Sequence, residues 1–284
     1  MHPEPDQSMP IRLGVVSFVN TLPLIDGLER LADVELRHSV PSLLVDQLLR
    51  DEVDVALCSS IDYQRSPVPL VVLPCGLLGC EGATMTVRLY SSIPIERIGR
   101  VYCDTDSHTS IALMSIVLRE QYGISPERVD YDARERVASN KPLDWPEAML
   151  LIGDKVVTDS PPAIRYPYQL DLGAAWHEMT GLPFVFALWM AKADTDPMRL
   201  AVAHDVLDHQ RRHNRERIDS MIHRRAVARG WPRDLAEEYL KQRLVYAFTE
   251  ARCEAVEEFF RRAAKVGLIP SHRPLDVAGS VACA

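Results

Sequence analysis

Residues 11–28 read IRLGVVSFVNTLPLIDGL. The short apolar run Ile11–Val16 ends in Ser17-Phe18-Val19-Asn20 with Pro23 close behind, the pattern of a buried strand running into a loop. Downstream, Pro41-Ser42 opens a segment in which Leu43, Leu44, Gln47 and Leu48 recur at helical spacing, with Ser42 placed to cap it. A second apolar strand, Val53–Cys58, follows at once and ends in Ser59-Ser60. Strand, helix and strand in that order require a crossover connection, which makes the two strands parallel and the crossover right-handed. The fold class expected is therefore α/β.

The rest of the chain extends the pattern. Thr84–Tyr90 alternates, with Met85, Val87 and Leu89 on one side and Thr84, Thr86 and Arg88 on the other, as in a half-exposed strand. Val101 begins another strand, followed by the polar loop Asp104–Ser110 and a helix that fades at Tyr122-Gly123, where the glycine suits the helix end. Met149–Ile152, ending in Gly153-Asp154, and Phe184–Met190 read as two more apolar strands. After Lys192 the chain turns Arg-rich and helical, broken at Gly230-Trp231-Pro232 and finished near Gly267.

Charge is unevenly spread. The net charge of −8 over 284 residues divides into +4 for residues 199–265 and −12 for the remainder. A body this acidic is a poor partner for a phosphate backbone, so nucleic acid is not expected. The longest apolar runs, such as Phe184–Met190, fall far short of the ~20 residues that span a bilayer, so no membrane association is expected either. The start, MHPEPDQSMP, has acids and prolines where a secretion signal needs a basic patch and an apolar stretch, which points to the cytoplasm. The six cysteines, at 58, 75, 80, 103, 253 and 283, form no C-x-x-C pair and read as free thiols.

In open α/β sheets, ligands bind beyond the carboxyl ends of the strands, where loop N–H groups and helix N-termini gather. Four such loops carry small hydroxyl or amide residues: Ser17–Asn20, Ser59-Ser60, Ser107–Ser110 and the Thr84–Thr86 stretch. Together they suit a carboxylate or phosphate. Each also has a plainer reading, since Ser107 or Thr109 can serve only as a helix cap and Asn20 only as a turn residue. Arg88 reads best as a surface arginine, and His108, alone among the histidines near a strand end, as a loop residue with a smaller claim to be a base. His209 and His213 stand at i, i+4 but within a run of Arg and Asn, a solvated helix face rather than a metal site. No G-x-S-x-G, G-x-G-x-x-G or G-x-x-x-x-G-K-[ST] motif is present, so neither a serine nucleophile nor a nucleotide cofactor is indicated, and no cofactor is expected.

Four segments taken in order, VVSFVNTLPLIDGL at 15–28, DSHTS at 106–110, LLIGD at 150–154 and DLGAAWHEMTGLPFVFALW at 171–189, resemble the chorismate dehydratases of the futalosine route to menaquinone. The last segment is long enough to be specific; the tail after residue 192 matches only in character. The resemblance implies a two-lobed periplasmic-binding-protein-like (type II) fold with a ligand cleft between lobes. It places residues 1–91 with 188–284 in lobe one and 92–187 in lobe two. It also implies loss of water from chorismate to give 3-[(1-carboxyvinyl)oxy]benzoate, with a substrate carboxylate among the proposed proton acceptors. Under it, Asn20 and Thr86 hold the catalytic positions, the family more often having serine at the latter. Ser107, Thr109 and Ser110 match a carboxylate-binding loop whose variable position is His108, and Ser17, Ser59, Ser60, Thr84 and Asp154 complete the substrate set. Two other readings stay open on this fold: a cytoplasmic solute-binding or effector-sensing protein, because no acid/base pair is evident, and 1,4-dihydroxy-6-naphthoate synthase.

Overall fold

The computed structural model describes residues 9–132 and 145–279, so the expectation for the amino-terminal segment lies outside the described residues. β1 (Ile11–Val16) is buried at five of its six positions, which is why its sequence is nearly all apolar instead of alternating. It pairs in parallel with β2 (Val34–Ser39) on one side and β3 (Val55–Ser59) on the other, as the strand–helix–strand pattern required. β4 (Leu70–Cys80), β10 (Phe184–Lys192) and β11 (Leu244–Val245) complete a six-stranded sheet in the order β11-β4-β10-β3-β1-β2. A second sheet, in the order β7-β6-β8-β5-β9, is built from β5 (Val87–Ser91), β6 (Arg100–Asp104), β7 (Glu127–Tyr131), β8 (Ala148–Ile152) and β9 (Tyr168–Asp171). The protein is thus an α/β molecule of two lobes.

Several local expectations change. The helix Pro41–Leu49 buries Leu44, Val45 and Leu48 but leaves Leu43 51% exposed, and its cap is Val40, not Ser42. Ser42 instead uses its backbone N–H on the carbonyl of Asp106 in the second lobe, at 3.1 Å. The strand expected over 84–90 begins only at Val87, because Thr84–Thr86 is a three-residue turn closed by Thr86 N–H on Thr84 C=O at 2.8 Å, with Met85 at φ 66°. A positive φ at a side chain this large is strained, and such turns are rare. β5, placed above in lobe one, pairs with β8 and β9 in the second sheet, and residues 184–187, placed in lobe two, pair in the first. The sheets change at 81–86 and again between β9 and Phe184. Cys58, Cys75, Cys80 and Cys103 are free and buried, while Cys253 is disulfide-bonded instead of free; Cys283 lies outside the described residues.

The two crossings are locked together. The Asp171 carboxylate accepts N–H groups from Thr84 (2.9 Å) and Met85 (2.7 Å) on the first crossing, and caps the helix Leu172–Thr180 on the second through Gly173 and Ala174 (3.1 Å each). Gly173 admits no larger residue, since a Cβ there would sit 2.4 Å from the Gly82 carbonyl. Gly181, at φ 70°, ends that helix, and Trp176 donates its indole N–H to Pro183 at 2.9 Å while packing edge-on against Phe184 and Phe259. The segment 171–189 is therefore a connection between the lobes plugged by aromatics. The Arg-rich tail folds back as helices Pro197–Glu216 against β4 and Glu250–Lys265 against β10, and at the end of the latter Arg262 and Lys265 pair with Glu120 of the second lobe.

Candidate active site

The carboxyl ends of β1, β3, β6 and β8 converge with the first crossing on one cavity. Asn20 and Phe18 reach it from the loop after β1, Ser59 from the end of β3, Thr84 and Thr86 from the strained turn, Ser107 and Ser110 from the loop after β6, and Gly153 from the end of β8. Val16, Leu57, Phe186 and Leu244 supply apolar walls. Of the residues expected to touch substrate, Asn20, Ser59, Thr84, Thr86, Ser107 and Ser110 are brought together here.

Two of these residues carry buried atoms without a partner among the described residues: Asn20 Oδ1 and Ser59 Oγ. An unpaired buried polar atom costs on the order of 1–3 kcal/mol, a cost that a ligand removes when it binds there. Ser107 fills both roles considered for it: its Oγ caps the helix His108–Gln121 by accepting from Ser110 N–H at 3.3 Å, and it lines the cavity. The 14-residue helix points its N-terminus into the cleft and contributes about half a positive charge there. Beneath the loop, Lys155 bridges Asp104 (2.6 Å) and Asp106 (2.7 Å), fixing its base. Burial raises the carboxyl pKa of Asp104, with Lys155 opposing the rise.

The other expected contacts lie behind or beside the cavity. Ser17 is turned away, its Oγ on His38 Nδ1 at 2.7 Å. Ser60 is held by the Val185 carbonyl at 2.8 Å. Thr109, fully buried, accepts the N–H of Ile61 at 3.1 Å and so stitches the lobes together. Asp154 accepts the Val19 N–H at 3.2 Å, tethering the loop that carries Asn20; burial raises its carboxyl pKa against that backbone bond. Arg88 faces Asp171 at 3.7 Å and Gln169 at 3.1 Å. His108 is neither in the cavity nor a free loop residue, because its Nδ1 meets Asp62 Oδ1 of the first lobe at 2.8 Å. The hydrogen bond to Asp62 raises the imidazole pKa above its ordinary value.

One lining residue carries none of the strand-end signals. Tyr239 comes from the tail sequence EEYLKQR, in a wide helical turn over Tyr239–Arg243, and places its hydroxyl 2.5 Å from Thr86 Oγ1. Wide turns of this kind recur at functional sites. Tyr239 is the one titratable side chain among the described residues that line the cavity, and no Lys, Arg, His, Asp or Glu joins it. No cluster of three or more His, Cys, Asp or Glu suited to a metal occurs among the described residues, and none of their helices is long and apolar enough to cross a membrane.

A family model described as menaquinone biosynthesis matches residues 11–265. The chain belongs to that menaquinone biosynthesis family. A chorismate dehydratase of Thermus thermophilus is 31% identical over 207 residues, 68% of this chain and 74% of that protein. A chorismate dehydratase of Campylobacter jejuni is 27% identical over 182 residues, 61% of this chain and 64% of the other. Among solved structures, a protein of Archaeoglobus fulgidus superposes with a TM-score of 0.60 at 15% identity, covering 93% of this chain and 100% of that one. The periplasmic aliphatic sulphonate binding protein of Escherichia coli superposes at 0.58 and 14%, covering 93% and 94%. This family member therefore has the periplasmic-binding-protein fold, its candidate site lying between the lobes.

Proposed function

We propose that the protein is a chorismate dehydratase, a lyase that eliminates water from chorismate to give 3-[(1-carboxyvinyl)oxy]benzoate. Its similarity to the two dehydratases supports the reading, and the observation that carries it is a cleft lined by neutral donors against apolar walls. Chorismate is a cyclohexadiene ring bearing a carboxylate, a hydroxyl and an enolpyruvyl ether that carries the second carboxylate. Such a ligand needs apolar contact for the ring and donors for the oxygens, which here come from Ser59, Thr84, Thr86, Ser107 and Ser110 and from the N-terminus of the 108–121 helix.

In the reaction a ring proton and the ring hydroxyl leave together as water and the ring becomes aromatic, which provides the driving force. The described lining residues offer no carboxylate, imidazole or amine to accept the proton. The resemblance to the dehydratases suggests an acceptor brought by the substrate itself, its enolpyruvyl carboxylate. The protein's part is to hold that carboxylate over the ring C–H and to stabilise charge at the departing oxygen with fixed donors. Asn20, with an unpaired Oδ1, and Thr86 stand where they can orient the hydroxyl and donate to it.

Incubation with chorismate, followed by chromatography, tests the reading. The expected result is loss of chorismate with appearance of the aromatic enolpyruvyl ether. Tight binding with no product would instead favour a solute-binding protein on this fold.

A further inference from the structure

Residues 59–64, at the end of β3, send successive groups to different parts of the molecule. Ser59 lines the cavity, the Ile61 N–H goes to Thr109, and the Asp62 carboxylate goes to His108. Tyr63 and Gln64 serve another purpose. Both are buried in the short helix Asp62–Arg65, and their polar groups are taken up by the carboxyl-terminal segment Arg273–Asp276. That segment lies past residue 265, where the match to the family model ends.

The sense of these bonds is settled, because each has a backbone group on one side. Gln64 Nε2 donates to the Arg273 carbonyl at 2.6 Å and Gln64 Oε1 accepts the Arg273 N–H at 2.9 Å, so the side chain pairs with the segment as a neighbouring strand would. Tyr63 donates its hydroxyl to the Pro274 carbonyl at 3.0 Å and accepts the Asp276 N–H at 2.7 Å. Its ring stacks on Phe260, with centroids 6.0 Å apart and 7° between planes, and the Arg273 guanidinium lies 5.8 Å from its centre. The segment is itself tied down elsewhere. Leu275 N–H meets Glu257 at 2.6 Å, Val72 N–H meets the Asp276 carbonyl at 2.8 Å, and Ala278 N–H meets the Val72 carbonyl at 2.9 Å. It is therefore a strap fixed to β4 and to the helix Glu250–Lys265.

A helix of four residues with no side-chain cap has almost no stability of its own, so its position is set by what it packs against. Here one end of 61–64 meets the second lobe and the other meets the strap. Building on the dehydratase reading, we propose that Tyr63 and Gln64 are positioning residues through which the carboxyl-terminal strap holds the 62–65 helix where it receives the second lobe, so that closure of the cleft depends on the strap. A helix freed from the strap presents the Ile61 N–H and Asp62 less well to Thr109 and His108, and a smaller fraction of the protein is closed. Apparent affinity falls in proportion to that fraction, while the closed complex turns over as before.

The test measures kcat and KM for chorismate in Gln64→Leu, Tyr63→Phe, Thr109→Val and the double variant Gln64→Leu/Thr109→Val. Gln64→Leu removes both bonds to Arg273, and Tyr63→Phe removes those to Pro274 and Asp276 while keeping the ring. Each of these two is expected to raise KM about tenfold and to leave kcat within about twofold, a split that general damage to the fold does not produce. In the double variant KM is expected to rise by less than the product of the two single effects, because both act on the same contact between lobes. Unchanged KM in Gln64→Leu and Tyr63→Phe, even with a lowered melting temperature, would mean that the strap only braces the first lobe and would overturn the proposal; so would single effects that multiply in full. If the parent protein leaves chorismate unchanged, the dehydratase reading falls and amide exchange without ligand decides the strap. Gln64→Leu is then expected to speed exchange of the Ile61 N–H, whose partner is in the other lobe, about tenfold, and an unchanged rate there would overturn the proposal.

Discussion

The cavity's donors differ in what else they do, and that difference predicts how they respond to substitution. Asn20 Oδ1 is unpaired in the structure, so Asn20→Ala removes a group whose polar burial is already unfavourable. Its melting temperature is expected to stay at or slightly above that of the parent, while kcat falls about 10²-fold or more; parallel melting curves and turnover assays check both halves. Thr86 is different because Tyr239 depends on it. Thr86→Ser keeps the hydroxyl and is expected to retain activity within about threefold, whereas Thr86→Val leaves the buried phenol unpaired and is expected to cost about 1–3 kcal/mol of stability as well as activity. Chemical denaturation of the two variants separates them. The rule that ligands gather at strand ends found Asn20, Ser59, Thr84, Thr86, Ser107 and Ser110 from sequence. It could not tell them from Ser60 and Thr109, whose hydroxyls are taken up by Val185 and Ile61. Spacing records that a hydroxyl is near the cleft, not which partner satisfies it. Tyr239 was invisible for the complementary reason: nothing in EEYLKQR marks a tyrosine that tertiary packing carries across to Thr86.

Among the elements, most strands buried on both faces were legible and the edges were not; β4, buried at ten of its eleven positions, was missed because Pro74, Gly76 and Gly79 interrupt its apolar run. β1, β3, β8 and β10 are apolar runs, while β2, β7 and β9 carry mostly half-exposed or exposed residues and leave no period to read. The Thr84–Thr86 turn misled the period for a physical reason. Its alternation is genuine, but Asp171 pulls two successive N–H groups out of strand geometry and holds Met85 at positive φ. Strain of this kind costs about 1–3 kcal/mol and persists only where the surroundings enforce it. Asp171→Ala removes that enforcement together with the cap of the 172–180 helix. The variant is expected to lose about 1–2 kcal/mol of stability and, because Thr84 and Thr86 relax out of the cleft, at least tenfold in kcat. Calorimetry and steady-state kinetics test the two losses; a variant that is less stable but fully active would show that the turn's geometry is not needed.

For the whole molecule, the lobes meet through polar contacts around the cavity: Asp154 with Val19, Thr109 with Ile61, and His108 with Asp62. The last is sensitive to pH. Asp62 is buried, its carboxyl pKa raised by desolvation despite His108, and Arg65 and Asp46 also bear on the pair. The contact with Asp62 raises the His108 pKa, so lobes joined at this contact are expected to bind that proton more tightly than lobes parted, where the histidine would revert toward its ordinary value of about 6.5. The contribution of protonated His108 to closure is full below that value and fades as pH rises through the raised one. Ligand affinity is expected to weaken across that interval, and His108→Gln is expected to flatten the dependence; titration of chorismate binding against pH in both proteins provides the check. Lobe membership itself was only partly legible: the chain changes sheets at 81–86, ahead of a strand placed in the first lobe, and again before Phe184, and neither position is marked by a break in composition specific to a crossing.

The absence of any charged side chain among the described residues that line the cavity has a consequence for how a ligand arrives. The molecule carries −8 and the described lining residues add no cation, so a doubly negative ligand is expected to approach against the protein's net field. Rising ionic strength should then speed association, because screening shortens the reach of that repulsion from about 30 Å at 0.01 M salt to about 8 Å at 0.15 M. Dissociation, governed by short hydrogen bonds inside the closed lobes, should hardly respond. Stopped-flow binding of chorismate across a salt series would show a rising on-rate over a flat off-rate. Discrimination at such a mouth falls to shape and hydrogen-bond direction, so sulfate and inorganic phosphate, rich in charge but lacking a ring, should compete poorly at concentrations where chorismate saturates.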